Sequence, residues 1–234
     1  MFSLLQRLFT GTCILCDAPA DRLDICSACS GDLPWLGHHC VYCAEPTAAS
    51  GRICPACTRS PPAFSAALCG FEYAFPIDAL IQRFKDHRQL AYGQVLAELN
   101  WQAISSDLDS CLEGDEIITA VPLHWIRQRQ RGFNQSTLIA TDLAAKLALP
   151  WEVLLTCRSK TAPQKSLDKS SRARSQRTLY KLKRPLAGER VVLVDDVITT
   201  GSTVNAVARC LLAGGAGDVV VVALARTPSA PPQA

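Results

Sequence analysis

Residues 190–204 read RVVLVDDVITTGSTV, a β-branched run that ends in two acids and passes into a segment of hydroxyl side chains and glycine. This pattern predicts a buried strand, a tight loop and the start of a helix. Unpaired backbone N–H groups and the helix dipole bind phosphate at such a helix N-terminus. An ordinary capped helix is the alternative, but it would not require two acids before the loop. The residues expected to bind phosphate are Thr199, Thr200, Gly201, Ser202 and Thr203.

The two acids, Asp195 and Asp196, stand at the carboxyl end of the predicted strand. Carboxylates in this position accept hydrogen bonds from a ribose diol beside the phosphate. One of the two could also accept a proton during catalysis. The stretch therefore predicts a sugar-phosphate site.

The rest of the chain alternates predicted strands with predicted helices. Continuous Val, Ile and Leu runs predict an α/β fold with a mainly parallel sheet covered by helices on both faces. The expected strands are 66–74, 116–121, 153–156, 191–194 and 219–224, and the expected helices are 77–86, 90–101, 134–149 and 202–213.

Composition excludes several protein classes. The chain has 234 residues, a net charge of +3 and an apolar fraction of 48%, which is typical of a globular protein and not of a disordered chain or a coiled coil. No apolar run reaches the ~18 residues of a membrane helix, and Gln6 and Arg7 interrupt the apolar start. We expect a cytoplasmic protein without membrane insertion.

Cysteine is the unusual residue, with 12 copies. In a reducing compartment, paired C-x-x-C turns favour thiolate metal sites over disulfides. Two structural Zn²⁺ ions in tandem ribbons are the simplest interpretation, while a crossed pairing, redox chemistry or iron stay open. The eight expected ligands are Cys13, Cys16, Cys26, Cys29, Cys40, Cys43, Cys54 and Cys57. The four single cysteines, Cys69, Cys111, Cys157 and Cys210, are expected to be small buried side chains without a function.

Charge is distributed unevenly along the chain. Residues 13–57 carry two Arg and five acids, so we expect the ribbon module to dock on the second domain or on a protein, not on nucleic acid. Residues 157–190 carry eleven Lys or Arg and two acids, which predicts an anion-binding surface. The predicted organisation is a ribbon module with its connector at 1–62, a second domain at 63–228 and a frayed tail at 229–234.

The loop at 199–203 resembles the phosphoribosyl pyrophosphate (PRPP) loop of type I phosphoribosyltransferases. Further motifs are VPLH at 121–124, RGFNQ at 131–135 and TAPQKSL at 161–167. With the double ribbon in front, these resemble the ComF family of competence and DNA-utilisation proteins.

That resemblance implies a zinc-ribbon module followed by a phosphoribosyltransferase-like domain that binds PRPP with Mg²⁺. Residues 161–177 would form a flexible loop over the pyrophosphate, and Arg174 is a further candidate to neutralise it. The implied catalytic residues are Asp195, Asp196, Arg172 and Lys165, and the implied pyrophosphate contacts are Pro122, Leu123, His124 and Arg131.

Two positions depart from the family pattern: Ser175 replaces an Asn, and Asp86 replaces an aromatic residue. Two functions therefore stay open. One is transfer of ribose 5-phosphate from PRPP to an unidentified acceptor. The other is non-catalytic binding of a nucleotide or single-stranded DNA, with DNA-uptake proteins as partners.

Overall fold

The structure, a computed structural model, describes residues 11–20, 23–86, 89–123, 128–129, 131–157 and 179–229. Within these ranges, no helix combines the length and the apolar character needed to cross a lipid bilayer. The strands are β1 (Gly11–Thr12), β2 (Pro19–Ala20), β3 (Ala66–Glu72), β4 (Ile117–Ala120), β5 (Leu155–Cys157), β6 (Tyr180–Leu182), β7 (Arg190–Val194), β8 (Val197–Ile198) and β9 (Asp218–Arg226). The helices are α1 (Ser27–Gly31), α2 (Pro55–Arg59), α3 (Ile77–Asp86), α4 (Leu90–Cys111), α5 (Gln135–Leu147) and α6 (Ser202–Ala213).

A parallel sheet forms the centre of the fold, with the strand order β3-β9-β7-β4 and the short β8 also paired with β9. Alternate residues of its strands face opposite sides. Val192 and Val220 pack in the core with α3, α4 and α5, while Val191 and Val219 pack on the other face with α6. Burial on both faces explains why these strands are continuously apolar. The predicted mainly parallel sheet with helices on both faces is confirmed.

One predicted strand lies outside this sheet. The strand expected at 153–156 is β5 at Leu155–Cys157, which pairs antiparallel with β6 in a separate two-stranded sheet. Its alternation with helices wrongly suggested a place in the main sheet, because its partner β6 lies more than twenty residues further along the chain and the sequence pattern did not reveal it. Helix α4 also extends ten residues beyond its predicted end at Trp101, to Cys111.

The ribbon module packs against an edge of the main sheet. The Leu36 N–H donates to the Gly70 carbonyl at 2.8 Å, and the Glu72 N–H donates to the Pro34 carbonyl at 2.8 Å. Between them the Trp35 ring lies against Phe71, with ring centroids 4.8 Å apart. The module thus continues the hydrogen bonding of β3 and contacts the second domain, as its charge led us to expect.

We predict that Trp35→Ala lowers the free energy of unfolding by about 3 kcal/mol, because it removes the ring that packs on the fully buried Phe71. Chemical denaturation measures this value. Leu90→Ala removes an apolar side chain that is 49% exposed, and as the control it should cost less than about 1 kcal/mol. Equal losses in both variants would show that the ring contact does not stabilise the docked module.

Candidate functional site

A cavity of about 680 Å³ lies where β4 and β7 end. These strands are parallel neighbours, paired from Ile117 with Val191 to Ala120 with Val194. Their carboxyl ends therefore meet at one edge of the sheet, which is where open α/β sheets bind ligands. Asp195 and Asp196 line the cavity from β7, while Pro122 and Leu123 line it from the segment after β4.

Asp195 is 9% exposed and is fixed by hydrogen bonds. Its Oδ1 accepts from the Ser136 hydroxyl at 3.0 Å and from the Asp196 N–H at 2.9 Å. Burial, and then the negative charge of Asp196, raise the pKa of Asp195 to about 7. A carboxyl with that pKa exchanges protons readily at neutral pH, so it is suited to accept a proton.

Asp196 is held differently, by an ion pair with Lys85 from the end of α3. The Lys85 Nζ lies 2.9 Å from the Asp196 Oδ2. Both side chains keep part of their surface exposed, at 19% for Lys85 and 17% for Asp196. The cavity wall therefore carries an accessible carboxylate next to an ammonium group.

The loop at 199–203 turns sharply into α6. Gly201 is the N-cap of α6 and has φ +73°, a left-handed conformation that favours glycine. The Thr200 hydroxyl donates to the Ser202 hydroxyl at 2.9 Å and accepts from the Ser202 N–H at 3.3 Å. Of the five predicted phosphate-binding residues, Thr203 lines the cavity, and the others continue from it along a partly to fully exposed turn.

The opposite wall is built at the start of α5. Asn134 caps this helix by accepting from the Ser136 N–H at 3.2 Å, and its amide donates to the Val121 carbonyl at 3.0 Å. Asn134 is therefore a cap that ties α5 to the end of β4. Arg131 also lines the cavity and donates to the Gln135 side chain at 3.3 Å. His124 lies outside the described residues.

Two residues of the basic segment at 157–190 lie at the same cavity. Cys157 and Tyr180 form the last pair of the β5–β6 ladder, and both line the cavity. Burial raises the pKa of the Tyr180 hydroxyl to about 12. Residues 158–178 between them, with Lys165, Arg172 and Arg174, lie outside the described residues.

The eight paired cysteines form two clusters, Cys13, Cys16, Cys26 and Cys29 in one and Cys40, Cys43, Cys54 and Cys57 in the other. Within each cluster all sulfur atoms lie within 4.8 Å of one another. The Cys16 and Cys26 sulfurs are 3.7 Å apart, and the Cys43 and Cys54 sulfurs are 3.6 Å apart. A tetrahedral ion with Zn–S bonds of about 2.3 Å requires sulfur separations of roughly 3.8 Å. The clusters fit tandem zinc sites, so the crossed pairing is excluded.

Each cluster also has backbone donors to sulfur. The Cys29 N–H donates to the Cys26 sulfur at 3.4 Å, and the Cys57 N–H donates to the Cys54 sulfur at 3.4 Å. Such bonds stabilise thiolates, and four thiolates leave a tetrahedral ion no open position. These are structural sites. Of the four single cysteines, Cys69 is buried as predicted, whereas the other three are half-buried and Cys157 lines the cavity.

Two known domain families match different parts of the chain. Residues 4–58 match a double zinc ribbon domain, and residues 134–233 match a phosphoribosyl transferase domain. The DNA utilization protein YhgH of Salmonella typhimurium is 34% identical over 221 residues, which cover 93% of this chain and 97% of that protein. Competence protein F of Haemophilus influenzae is 31% identical over 232 residues, covering 95% and 100%. The chain belongs to the ComF family.

Among solved structures, the purine phosphoribosyltransferase of Pyrococcus horikoshii is similar with a TM-score of 0.37 and 19% identity, covering 59% of this chain and 78% of that one. The relatives confirm the ComF resemblance inferred from the motifs, and the two domain matches confirm a phosphoribosyltransferase-like domain behind a double zinc ribbon.

Several residues at the ComF cavity were not predicted as part of the site, among them Lys85, Ser136 and Tyr180. Lys85 ends an amphipathic helix and Tyr180 lies in a basic run, so in the sequence each resembles a surface residue. Ser136 lies two positions after Asn134, whose residue type is typical of a helix cap. That pattern could have placed Ser136 in the first turn of a helix beside the site.

We predict that the ComF chain binds two zinc ions and that Cys26→Ser binds one, because a three-thiolate site loses affinity. Metal content per chain, measured after purification without chelator, checks this. Cys111→Ser changes a cysteine outside both clusters and should retain two ions. Stoichiometric iron in place of zinc would contradict the assignment.

We predict that Asp195→Asn stabilises the protein at pH 8 but not at pH 4. The raised pKa of Asp195 means that its ionisation opposes folding as the pH rises from about 4 to about 7. The stability advantage of the variant should grow by on the order of 1 kcal/mol per pH unit across that window. Denaturation at pH 4, 6 and 8 measures it, and an advantage independent of pH would show that Asp195 ionises normally.

Proposed function

We propose that this ComF protein binds PRPP with Mg²⁺ in the cavity at the ends of β4 and β7 and transfers its ribose 5-phosphate group to an acceptor. One observation carries the proposal: the acid pair, Thr203 at the end of the glycine loop and the segment after β4 line a single cavity. Its volume lies within the range of small-molecule sites, roughly 300–1,000 Å³.

Each part of the substrate has a matching group. The turn at 199–203 offers N–H groups of a helix start to the 5′-phosphate. Asp196, the more exposed acid, would accept from the ribose hydroxyls, and Lys85 beside it would approach the anionic groups. Pro122, Leu123 and Arg131 form the wall proposed for pyrophosphate.

Breaking the bond from C1′ to pyrophosphate develops positive charge on the sugar and negative charge on the leaving group. Catalysis of such a step depends on positioning and charge stabilisation. Asp195 and Asp196 supply negative charge beside the sugar, and Asp195 is suited to take a proton from the acceptor. Mg²⁺, bound through a carboxylate and substrate phosphates, would offset part of the charge on pyrophosphate. Lys165, Arg172 and Arg174 are proposed to contribute from the part of the sequence between Cys157 and Tyr180, which both line the cavity.

The names of the relatives favour a second candidate, which is non-catalytic binding of a nucleotide or single-stranded DNA together with DNA-uptake proteins. The eleven cationic residues at 157–190 support contact with phosphates. Stacking of bases has less support, because Tyr180, the one aromatic residue of this segment, is half-buried.

Calorimetric titration with PRPP and Mg²⁺ tests the proposal. We predict that Asp196→Asn weakens PRPP binding roughly 100-fold, because it removes a charged acceptor from the ribose hydroxyls. The control Asp109→Asn neutralises an exposed acid of α4 and should bind like the wild type.

Turnover separates the two functions. Pyrophosphate release from PRPP in the presence of a panel of bases and amines supports the transferase. PRPP binding without release, together with salt-sensitive binding of single-stranded DNA, supports the second candidate. Absence of PRPP binding in the wild type would refute the proposed site.

A further inference from the structure

Arg226, the last residue of β9, hydrogen-bonds to two parts of the chain. One is the second ribbon, which holds the cluster of Cys40, Cys43, Cys54 and Cys57, and the other is the loop that follows the acid pair. Arg226 is 4% exposed, and its guanidinium donates to oxygen atoms of Cys43, Glu45, Ile198, Thr199 and Thr227. A buried guanidinium requires such a set of acceptors to offset its lost hydration. Its position in the fold is therefore determined by the groups that surround it.

One side of the guanidinium binds the ribbon. Its Nε donates to the Cys43 carbonyl at 3.0 Å, and a terminal nitrogen lies 2.5 Å from the Glu45 carboxylate. The second carboxylate oxygen of Glu45 accepts from the Ser229 N–H at 2.6 Å. Glu45 thus binds both the arginine and the chain just beyond it.

The other side of the guanidinium binds the loop. A terminal nitrogen donates to the Ile198 carbonyl at 3.2 Å and also to the Thr199 carbonyl. In a trans peptide unit the C=O and N–H point in opposite directions. The carbonyls bound by the buried Arg226 therefore leave the N–H groups of Thr199 and Thr200 directed away from it, on a turn whose side chains are exposed.

The ribbon acceptors are themselves fixed by the second cysteine cluster. Cys43 is a member of that cluster, and the Glu45 carbonyl accepts from the N–H of Cys40, another member, at 2.7 Å. Ala44 between them is fully buried and packs in the same apolar cluster as Ile198. The turn at 40–45 therefore contacts the loop segment through both polar and apolar groups.

We propose that Arg226 is a positioning residue for the loop at 199–203, and that Glu45 and the second zinc site hold it in place. The second ribbon then acts at the cavity edge without touching the ligand. The part of this inference that concerns ligand affinity rests on the proposed PRPP site. The part that concerns the loop's order does not.

The test uses Glu45→Gln in the full-length protein, since glutamine keeps the shape of the side chain and removes the charge that binds Arg226. Glu152→Gln is the matched control, because it weakens another arginine–carboxylate pair, with Arg184, outside the cavity lining. Zinc content and the free energy of unfolding establish that both variants fold and keep their metals.

Hydrogen exchange without ligand is the first measurement. In Glu45→Gln we expect the amides of Ser202, Asn205 and Thr227, which are hydrogen-bonded in and beside the loop, to exchange roughly tenfold faster. The rest of the sheet and the Glu152→Gln control should not change. Unchanged exchange at these amides, or equal acceleration throughout the protein, would overturn the proposal.

PRPP titration is the second measurement, and here Glu45→Gln should bind roughly tenfold more weakly than the control. Wild-type-like affinity together with faster loop exchange would overturn the link to the ligand. If the wild type itself does not bind PRPP, the proposed function fails, while the exchange result still decides whether Arg226 orders the loop.

A comparison of the two metal clusters tests the role of zinc. Cys57→Ser, in the second cluster, should lose one zinc and accelerate loop exchange as Glu45→Gln does. Cys29→Ser, in the first cluster, should lose one zinc without that local effect, because this cluster packs in the core with α3, α4 and α5. Equal loop exchange in the two variants would remove the second site from the mechanism.

Discussion

The parallel pairing of β4 with β7 is the constraint on which the site depends. It places the ends of two strands side by side, so that the acids after β7 and the segment after β4 share a cavity. Asn134 fixes this geometry by capping α5 while donating to the Val121 carbonyl. The start of α5 then places the Ser136 hydroxyl where it donates to Asp195.

The electrostatics of the acid pair lower the stability of the folded protein. Asp195 is buried beside a second acid, which raises its pKa and opposes folding when it ionises. Ser136 and Lys85 offset part of this cost through a hydrogen bond and an ion pair. A carboxyl group that lines a cavity and has a pKa near 7 is characteristic of functional sites. Geometry and charge therefore indicate the same site, because the acid pair and the loop residue Thr203 line one cavity.

The parts of the fold that local sequence determines were predictable. Helix α3 and helix α6 have their predicted bounds, because apolar spacing and a glycine turn specify them within a short window. The antiparallel partner of β5 was missed, since β6 lies more than twenty residues further along the chain. Lys85 and Arg226 were missed for the same reason, because their partners are distant in the sequence. Lys85 pairs with Asp196, and Arg226 binds a ribbon residue more than 180 residues earlier.

The docking of the ribbon on β3 has a consequence for solubility. Without residues 34–36, the backbone N–H and C=O groups of a strand that is apolar along nearly its whole length would border solvent. Such an open edge pairs readily with a strand of another molecule. The cysteine module therefore covers part of this edge, and we expect loss of zinc to expose backbone groups that a strand of another molecule can pair with.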